Sequence, residues 1–397
     1  MARHPFTTPV GTTDEAYQEE ILPHVSRTFA LTIPQLPAGL RSAVTSAYLL
    51  CRIADTIEDE PALSAGDAYL YLGRFAAVVA GREEPAPLAR EVASRLSERT
   101  LPAERHLVEN MDRVIRMTRR LDAGQRAAIQ RCIDLMCYGM HHFQRTASLR
   151  GLERLSDLDR YCYYVAGVVG EMLTELFCSY SDAAADHRAD LRELATSFGQ
   201  GLQMTNILKD IWEDRSRGAC WLPQDVFARR GIDLARLDPK PFDARFGAAL
   251  RELIGVAHAH LRNAVAFTLL IPRDEPGIRR FCLWAIGLAV LTLRRIASHP
   301  EFTSGAEVKV SHATVALTRA LTSLAVRNDR MLLRLFDWAA GDLPLAQPAE
   351  VRRHTHASIL AAQPPPGVLE YGKEYRAERA HAPFEHASFR SDGSAAR

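Results

Sequence analysis

The sequence predicts an all-α fold, and three observations support this prediction. No Pro lies between Ala103 and Leu222, and Pro is costly inside a helix because it removes a backbone hydrogen bond. Apolar residues recur at helical spacing, as at Leu107, Met111 and Val114. Strand signals are weak, since the chain has no Asn-Gly hairpin turn and no sustained alternation of apolar and polar residues.

The same periodicity, bounded by Pro and Gly, predicts a series of long helices. We expect them at residues 37–59, 64–81, 87–119, 122–147, 157–180, 187–214, 242–270, 276–298 and 307–340. Leu222-Pro223 ends the helix-rich middle, and Pro239 and Pro241 mark a connector. The predicted organisation is an N-terminal segment over 1–19, one large domain over 20–345, and a C-terminal helix with a partly disordered polar tail over 346–397.

Composition narrows the function classes. The formal net charge of +1 predicts no broad attraction to nucleic acid or to anionic membranes. The seven Cys are scattered, odd in number and without a Cys-x-x-Cys pair, which favours reduced thiols in the cytoplasm. The N-terminus lacks an apolar signal core, and the apolar run over 281–293 is too short to span a bilayer. We expect a cytoplasmic protein without a transmembrane helix, which a lipid product could bring to a membrane surface.

Two acidic segments carry the strongest functional signal, Asp55-Thr-Ile-Glu-Asp59 and Asp210-Ile-Trp-Glu-Asp214. Each places two Asp four residues apart, which is one turn along one face of a helix. Two like charges about 4 Å apart repel by roughly 4 kcal/mol at an effective dielectric constant near 20. Two facing clusters are therefore costly unless cations lie between them, and carboxylate with diphosphate oxygens is a typical Mg²⁺ environment.

The first segment extends backward along its helix face. Tyr48, Arg52, Asp55 and Asp59 follow one another in steps of four, three and four residues. Arg52 could neutralise part of the acidic cluster or bind a phosphate oxygen. Composition alone leaves an alternative open, a solvated acidic face where the helix ends.

The second segment is harder to explain as a solvated surface. A polar stripe with helical spacing runs through an otherwise apolar helix at Gln203, Asn206, Asp210 and Asp214. Buried polar groups need partners, so the stripe favours a ligand site over an exposed helix end. Arg215 and Arg217 follow at once and could close over a leaving diphosphate.

A third candidate is the segment Tyr161-Cys-Tyr-Tyr-Val-Ala-Gly167 with Gly170. Gly in a helix costs about 1 kcal/mol relative to Ala, which indicates close approach of a ligand or a neighbouring helix. Tyr164, Gly167 and Glu171 share one α-helical face. The tyrosines could stabilise a carbocation or take up a proton, or they could form a belt in the core.

Together these motifs resemble the squalene/phytoene synthase family of head-to-head prenyl transferases. The matching segments are His24-Val-Ser-Arg-Thr-Phe-Ala30, Tyr48-Leu-Leu-Cys-Arg-Ile-Ala-Asp-Thr-Ile-Glu-Asp59, Tyr161-Cys-Tyr-Tyr-Val-Ala-Gly167, Asn206-Ile-Leu-Lys-Asp-Ile-Trp-Glu-Asp214 and Cys220-Trp-Leu-Pro-Gln-Asp-Val-Phe227. They lie in family order between about residues 20 and 340.

The resemblance implies an isoprenoid-synthase helical bundle whose central cavity binds two farnesyl diphosphates with Mg²⁺. It assigns the metal to Asp55, Asp59, Asn206, Asp210 and Asp214. It assigns substrate binding to Ser26, Arg27, Tyr48, Arg52, Gln203 and Asn206, and Arg217 joins this set as the arginine that follows the second segment. Tyr164 is the predicted proton acceptor during cyclopropane closure and counts, with the four Asp, as catalytic.

Within the family, the segment 161–167 and Val308-Lys309-Val310 resemble squalene synthases more than phytoene synthases. That branch implies condensation to presqualene diphosphate followed by NADPH-dependent reduction to squalene, with Lys309 as a candidate NADPH contact. Two features depart from the squalene synthase pattern. Ser311-His312 stands where animal and yeast squalene synthases have basic residues, and the loop 215–221 has the shorter phytoene-synthase length.

Two other functions stay open at this point. One is a family member that needs no reductant and makes presqualene diphosphate, dehydrosqualene or phytoene. The other is a non-catalytic relative that acts in binding or assembly, which would be expected to have lost acidic residues that this chain retains.

Overall fold

The computed structural model describes residues 13–26, 28–145 and 147–347. Over these residues the protein is helical, and the β contact is one isolated parallel bridge between Leu152 and Pro223. The predicted all-α fold class is confirmed. The α-helices are α1 (Asp14–Val25), α2 (Phe29–Thr32), α3 (Ala38–Glu58), α4 (Ala65–Val79), α5 (Pro85–Arg95), α6 (Pro102–Glu109), α7 (Met111–Arg119), α8 (Ala123–Gln144), α9 (Leu155–Cys162), α10 (Val168–Tyr180), α11 (Asp182–Ala185), α12 (Arg188–Lys209), α13 (Ile211–Ser216), α14 (Gln224–Ala228), α15 (Ala244–Leu270), α16 (Pro276–Ser298), α17 (His312–Ala325) and α18 (Asp329–Ala340).

Helix starts follow from local chemistry. Ser64 begins α4 by accepting a hydrogen bond from the Asp67 backbone N–H, and Asp122 begins α8 in the same way. These side chains satisfy N–H groups that lack a partner in the first turn. Pro stands in the first turn of α5, α6 and α16, where its missing N–H costs nothing.

Several predicted helices match closely, and others are divided. The predicted helix over 276–298 coincides with α16, whereas the stretch 87–119 forms α5, α6 and α7. The segment over 187–214 breaks at Asp210, whose backbone (φ −98°, ψ 18°) leaves the helical region between α12 and α13. The stretch 307–340 divides where Asn328 caps α18.

Two glycines allow α12 to pack closely against the chain before it. A Cβ on Gly170 would lie 2.0 Å from the backbone oxygen of Ala195, and one on Gly199 would lie 1.9 Å from that of Ala166. A side chain at either position would force the two backbones apart. The predicted close approach of a neighbouring helix is therefore present at Gly170, and α12 becomes the central wall of the bundle together with α15 and α16.

The domain begins earlier than the sequence indicates. Helix α1 starts at Asp14, and its side chains Tyr17 and Ile21 are buried in the main core, although the predicted N-terminal segment extends to residue 19. At the other end, the Ala346 backbone N–H donates to Gly255 at 3.1 Å. From residue 348 onward, the predicted C-terminal helix and tail lie outside the described residues.

By length and composition alone, α15 and α16 could cross a membrane. Most of the apolar stretch of each is buried inside the protein, 72% for α15 and 61% for α16. Core helices of soluble proteins have the same properties, so this is weak evidence for a membrane span. The predicted absence of a transmembrane helix stays a prediction.

Candidate active site

A cavity of about 480 Å³ lies among α3, α8, α10, α12 and α16. Its inner wall is apolar and is formed by Phe29, Ile33, Val44, Met136, Val165, Val169, Met172, Leu173, Phe198 and Phe281. Its mouth is polar and is formed by Arg52, Asp55, Glu58, Asp59, Gln203, Asn206, Lys209, Asp210, Asp214 and Arg217. The arrangement suits a molecule with a charged head and a long apolar body.

The first acidic segment reaches the mouth from the end of α3. Asp55 lies in the last turn, and the backbone N–H of Asp59 closes that turn on the Asp55 carbonyl. Arg52 donates to Asp55 at 3.3 Å and to Glu104 of α6 at 2.5 Å. Tyr48 also lines the cavity, and its hydroxyl donates to the Val25 carbonyl at 3.0 Å.

The second acidic segment faces the first across the mouth. Lys209 lies 3.0 Å from Asp210, and Arg217 donates to Asp214 at 2.6 Å. The other terminal nitrogen of Arg217 lies 3.8 Å from Asp59 on the opposite wall. Arg217 therefore connects the two segments, which the structure brings to one site as the sequence predicts.

Negative charge at the mouth is only partly balanced. Among the described residues that line the cavity, five carboxylates face three cationic side chains. Burial raises the pKa of Asp55 and of Asp214 to about 6, although nearby arginines oppose the shift. Burial also raises the pKa of Asp59 and Asp210. Asp59 is 58% exposed to water, but it lies inside a concave mouth where the surrounding protein displaces part of its solvent.

The donor set fits Mg²⁺ shared with a diphosphate. Among the described residues, no three His, Cys, Asp or Glu side chains converge as a complete metal site. Mg²⁺ usually takes one or two carboxylates and fills its other positions with water and substrate phosphate. A buried oxygen of Glu58 at the mouth has no hydrogen-bond partner in the described structure. This unpartnered oxygen and the excess of negative charge are what a bound cation would relieve.

The predicted NADPH contact lies apart from the cavity. Lys309 is exposed and does not line the cavity. Its segment nevertheless lies beside the second acidic segment, because Gly305 donates its backbone N–H to Glu213 at 2.9 Å. The described residues therefore give no geometry to the predicted NADPH contact.

The remaining predicted binding residues differ in placement. Gln203 and Asn206 line the cavity from α12. Ser26 does not line it, and its hydroxyl accepts the Phe29 backbone N–H at 2.9 Å. Arg27 lies outside the described residues.

The sequence predicts that Arg215 closes over a leaving diphosphate, but Arg215 does not line the cavity. Its guanidinium donates to the backbone carbonyls of Leu234 at 2.9 Å and Leu237 at 2.7 Å. It ties the end of α13 to a neighbouring loop. Arg217 is therefore the arginine of this pair that reaches the mouth.

Tyr164, the predicted proton acceptor, lies outside the cavity lining. Its ring packs against Tyr138 of α8, and a Cβ on Gly139 would lie 2.1 Å from the Tyr164 Cβ. The reason is a π-helical turn at Tyr163–Gly167, which changes the residues per turn and rotates the face expected from α-helical spacing. The role of Tyr164 as proton acceptor stays a prediction.

Tyr161 lines the cavity instead. Its ring stacks on Trp221 with centroids 4.2 Å apart and planes 9° apart. Burial raises the pKa of its phenol well above the ordinary value, and the negative charges of Glu58 and Asp59 add to the shift. Its hydroxyl group is therefore a neutral proton carrier close to the acidic mouth.

A buried polar network holds α9, which carries Tyr161, against α12 and α15. The Gln200 side chain donates to the Asp159 carbonyl at 3.0 Å, and His260 lies 3.4 Å from the Asp159 carboxylate. Ser197 is 3.1 Å from the other ring nitrogen of His260. These buried polar contacts connect α9 to both α12 and α15.

Sequence reasoning did not identify several residues of the site. Lys209 and Glu58 lie inside the acidic segments, so their sequence positions carried a signal. Tyr161 and Trp221 stood in recognised segments, but neither spacing nor composition distinguishes them from core aromatics. Phe281 comes from a remote apolar run and carries no signal.

A second chamber of about 640 Å³ opens beside the first. It shares the acidic mouth, including Asp55, Asp59 and Asp214, and continues toward Thr100 and Leu101 before α6. The acidic mouth therefore has free space on two sides.

Comparison with known proteins adds an independent observation. The family model described as squalene/phytoene synthase matches residues 22–344. The squalene synthase of Eremothecium gossypii is 29% identical over 285 residues, which cover 69% of this chain and 60% of that protein. Squalene synthase ERG9 of Candida albicans is 26% identical over 344 residues, 83% of this chain and 70% of that protein.

Among solved structures, TcSQS with the ligand BPH1237 matches with a TM-score of 0.68 at 24% identity. The match covers 88% of this chain and 99% of that chain. At this identity the likeness supports the fold.

Proposed function

The chain belongs to the squalene/phytoene synthase family, and from this premise we propose that it catalyses the squalene synthase reaction. Two farnesyl diphosphates condense head to head to presqualene diphosphate, which is then reduced to squalene at the expense of NADPH. One observation carries the proposal: two acidic segments, joined by Arg217, form the mouth of one apolar cavity. The relatives named squalene synthase support the choice of reaction.

The mouth binds the diphosphates. Asp55, Asp59, Asp210 and Asp214, with the Asn206 carboxamide, would hold Mg²⁺. When bound, Mg²⁺ neutralises the diphosphate and makes it a better leaving group. Arg52 contacts the Asp55 carboxylate, and Arg217 contacts the Asp214 carboxylate. Both arginines are therefore placed to bind phosphate oxygens as the substrate arrives. Gln203 and Tyr48 orient the substrate at the boundary of the apolar interior.

The apolar interior protects the reaction from water. Cleavage of the C–O bond leaves an allylic cation, which water would otherwise capture. Aromatic side chains such as Phe198 and Phe281 line this region, and their ring faces favour positive charge. The double bond of the second farnesyl group is then the nearest nucleophile.

Tyr161 moves the proton that leaves during ring closure. Its hydroxyl oxygen accepts this proton while its own hydrogen passes to an oxygen of the departed diphosphate, so the phenol ends neutral. Its high pKa suits a group that relays protons and does not stay ionised. Tyr164, buried against α8, has no comparable position.

The proposal places the catalytic domain over about residues 14–345, so that it includes α1. It places the protein in the cytoplasm, with peripheral association at the membrane that receives the product. Two farnesyl diphosphates per turnover and the use of NADPH are parts of the same proposal.

A product assay tests the proposal. Purified protein is incubated with farnesyl diphosphate and Mg²⁺, with and without NADPH, and products are identified by mass spectrometry. Squalene that forms only with NADPH supports the full reaction. Tyr161→Phe should lose far more activity than Tyr164→Phe, and the reverse order would refute the assignment of the proton carrier.

A reductant-free synthase is the second candidate. It is favoured by the position of Lys309, which is exposed and outside the cavity lining. Presqualene diphosphate, dehydrosqualene or phytoene formed regardless of NADPH would establish it. Failure to bind Mg²⁺ with inorganic pyrophosphate in calorimetry would instead favour a non-catalytic relative.

A further inference from the structure

Exposed large apolar side chains are concentrated near the end of the described chain. Six of the ten lie within residues 317–345, namely Leu317, Leu324, Met331, Leu333, Trp338 and Leu345. Leu324 is 80% exposed and Trp338 is 64% exposed. Single exposed apolar residues are ordinary, but a concentration of them indicates an interaction surface.

Helix α17 turns an apolar stripe toward solvent. Ala313, Leu317, Ala320 and Leu324 follow in steps of four, three and four residues, and all are exposed. Within α17, Ala325 is the buried residue. A surface helix normally directs its apolar stripe at the core, so α17 has the opposite orientation.

Helices α17 and α18 flank a shallow groove over α16. The groove has a volume of about 60 Å³ and is lined almost entirely by apolar groups, among them Leu291, Leu321, Leu335 and Trp338. We call the α17 stripe, this groove and the exposed Met331 and Trp338 the hairpin face.

Positive charge accompanies the apolar groups. Arg327, Arg330 and Arg334 are exposed around the turn between the helices and along α18. In the part of the chain that the structure describes, none of the three has an acidic side chain within 4 Å.

The two acids of α18 are occupied by arginines from elsewhere, whereas the exposed Asp342 after α18 has no ion pair among the described residues. Asp329 pairs with Arg273 at 2.5 Å and with Arg279 at 2.8 Å. Asp337 pairs with Arg262 at 2.9 Å. The hairpin face is therefore locally cationic on a chain whose net charge is only +1.

We propose that the hairpin face docks on the surface of an anionic lipid bilayer. The leucines, Met331 and Trp338 enter the interfacial layer, and the three arginines lie at the level of the lipid phosphates. Amphipathic helices bind membranes by this combination of apolar area and basic charge, and Trp favours the interface.

A second copy of the chain is a poorer occupant. In a two-fold symmetric dimer the same patch meets itself. Arg327, Arg330 and Arg334 would then face their own copies across the interface. This repulsion opposes self-association and has no counterpart at an anionic bilayer.

The docking surface does not depend on which isoprenoid the enzyme makes. It extends the proposed function, because it holds the enzyme at the lipid bilayer in which its hydrocarbon product dissolves. The binding test uses no substrate, so its result is separate from the product assay.

Vesicle binding of the full-length protein tests the proposal. Large unilamellar vesicles of phosphatidylcholine with 30 mol% phosphatidylglycerol, roughly the anionic content of a charged membrane surface, are compared with pure phosphatidylcholine. We expect co-sedimentation with the anionic vesicles that weakens as salt is raised. Absence of binding, or equal binding to both compositions, would overturn the proposal.

Two variants assign binding to the hairpin face. R327Q/R330Q should lower the partition coefficient by about 20-fold, because each basic residue near the surface contributes about fivefold. L324S/W338S should lower it through lost apolar contact. R236Q and Y180S remove an exposed arginine and an exposed aromatic ring elsewhere and should leave it unchanged. Binding that survives both hairpin variants would refute the assignment.

Trp338 fluorescence distinguishes the other occupants. Trp221 and Trp284 are buried and Trp212 is half-buried, so the difference in acrylamide quenching between the wild-type protein and W338F reports on Trp338. We expect strong quenching of the free protein and protection by anionic vesicles. Protection at high dilution without vesicles would show that the chain after residue 347 covers the face. Protection that grows with protein concentration would show a second copy. Both results would overturn the proposal.

Discussion

The two acidic segments share the pattern Asp-x-x-Glu-Asp but differ in structure. In the first, α3 continues through Asp55 to Glu58, and Asp59 caps it. In the second, the backbone breaks at Asp210, and Asp214 lies in the separate helix α13. The same five-residue pattern therefore brings its carboxylates to the mouth by two different backbone routes.

The Glu residues of the two acidic segments differ in their contacts. Glu58 lines the cavity and keeps one buried oxygen without a partner in the described structure. Glu213, at the matching position, also keeps one buried oxygen without a partner in the described structure, but its other oxygen accepts the Gly305 backbone N–H at 2.9 Å. Trp212 donates to the Phe302 carbonyl at 2.7 Å. The second segment is thus fixed by the distant loop 299–311, whereas the first is supported by Glu104 through Arg52.

The largest expected effect treats the two segments alike. Asp55→Asn and Asp210→Asn should each lower kcat by about a hundredfold or more, because each removes charge that acts on the departing diphosphate. Initial rates with farnesyl diphosphate and Mg²⁺ measure the loss, and far-ultraviolet circular dichroism checks the helices. If one variant kept most of its activity, its segment would not hold the metal.

A smaller loss of activity is expected from a substitution that disturbs only the second segment. A Cβ on Gly305 would lie 2.9 Å from an Asp210 carboxylate oxygen and 3.0 Å from the Lys209 carbonyl. The Asp210 side chain can move aside, so we expect Gly305→Ala to lower kcat/KM by about tenfold, as modest misplacement of a catalytic group does, while the fold remains.

Gly39→Ala is the matched control, since nothing lies within 4 Å of a Cβ there. It should leave kcat/KM unchanged. Equal behaviour of the two Ala variants would mean that loop 299–311 does not position Asp210.

The two segments also show which parts of the site can be predicted from the sequence. Spacing predicts which polar residues share a helix face, and it brings Asp55 and Asp59 together because α3 is regular. It does not predict the break at Asp210 or the π-helical turn that moves Tyr164 away from the cavity. Both are departures from regular helical geometry, and tertiary packing decides them.

Contacts between distant segments were equally out of reach. The pairing of Arg217 with Asp59 and the support of Glu213 by Gly305 join residues more than ninety positions apart. The fold class was predictable because it depends on many local signals that agree. The second wall of the site was not, because it depends on a few long-range contacts.

The next expected effect is a dependence of folding stability on pH. Burial raises the pKa of Asp55 and Asp214 to about 6 from the ordinary 3.8, so the folded protein binds more protons than the unfolded chain between about pH 4 and 6. The stability that these two groups contribute is therefore fully present below about pH 4 and is lost as the pH rises through about 6. We expect a loss of about 2 kcal/mol in chelator-treated protein, discounted because Asp55 is 37% exposed.

Thermal unfolding with chelator at pH 5 and pH 7.5 measures about half of this loss, because pH 5 already lies between the two pKa values. Comparison of variants holds the other titrating groups in common. Asp214→Asn should flatten the difference, and the exposed Asp233→Asn should not. Mg²⁺ with inorganic pyrophosphate should restore stability at pH 7.5. A wild-type difference that Asp214→Asn leaves unchanged would place the titrating groups outside the site.

The smallest expected effect separates the two Glu residues. Burial raises the pKa of Glu58 well above its ordinary value, with Asp59 and Asp55 adding to the shift, so a neutral Gln resembles the side chain that the site already favours. Glu58→Gln should change kcat/KM less than threefold and raise the unfolding midpoint by about 2 °C. Glu213→Gln should also be nearly silent, since its amide oxygen can still accept the Gly305 N–H. A large loss for Glu58→Gln alone would mean that the first segment contributes three metal ligands and the second only two. The unpartnered oxygen of Glu58 would then be a ligand position, and the difference between the two backbones would extend to the metal itself.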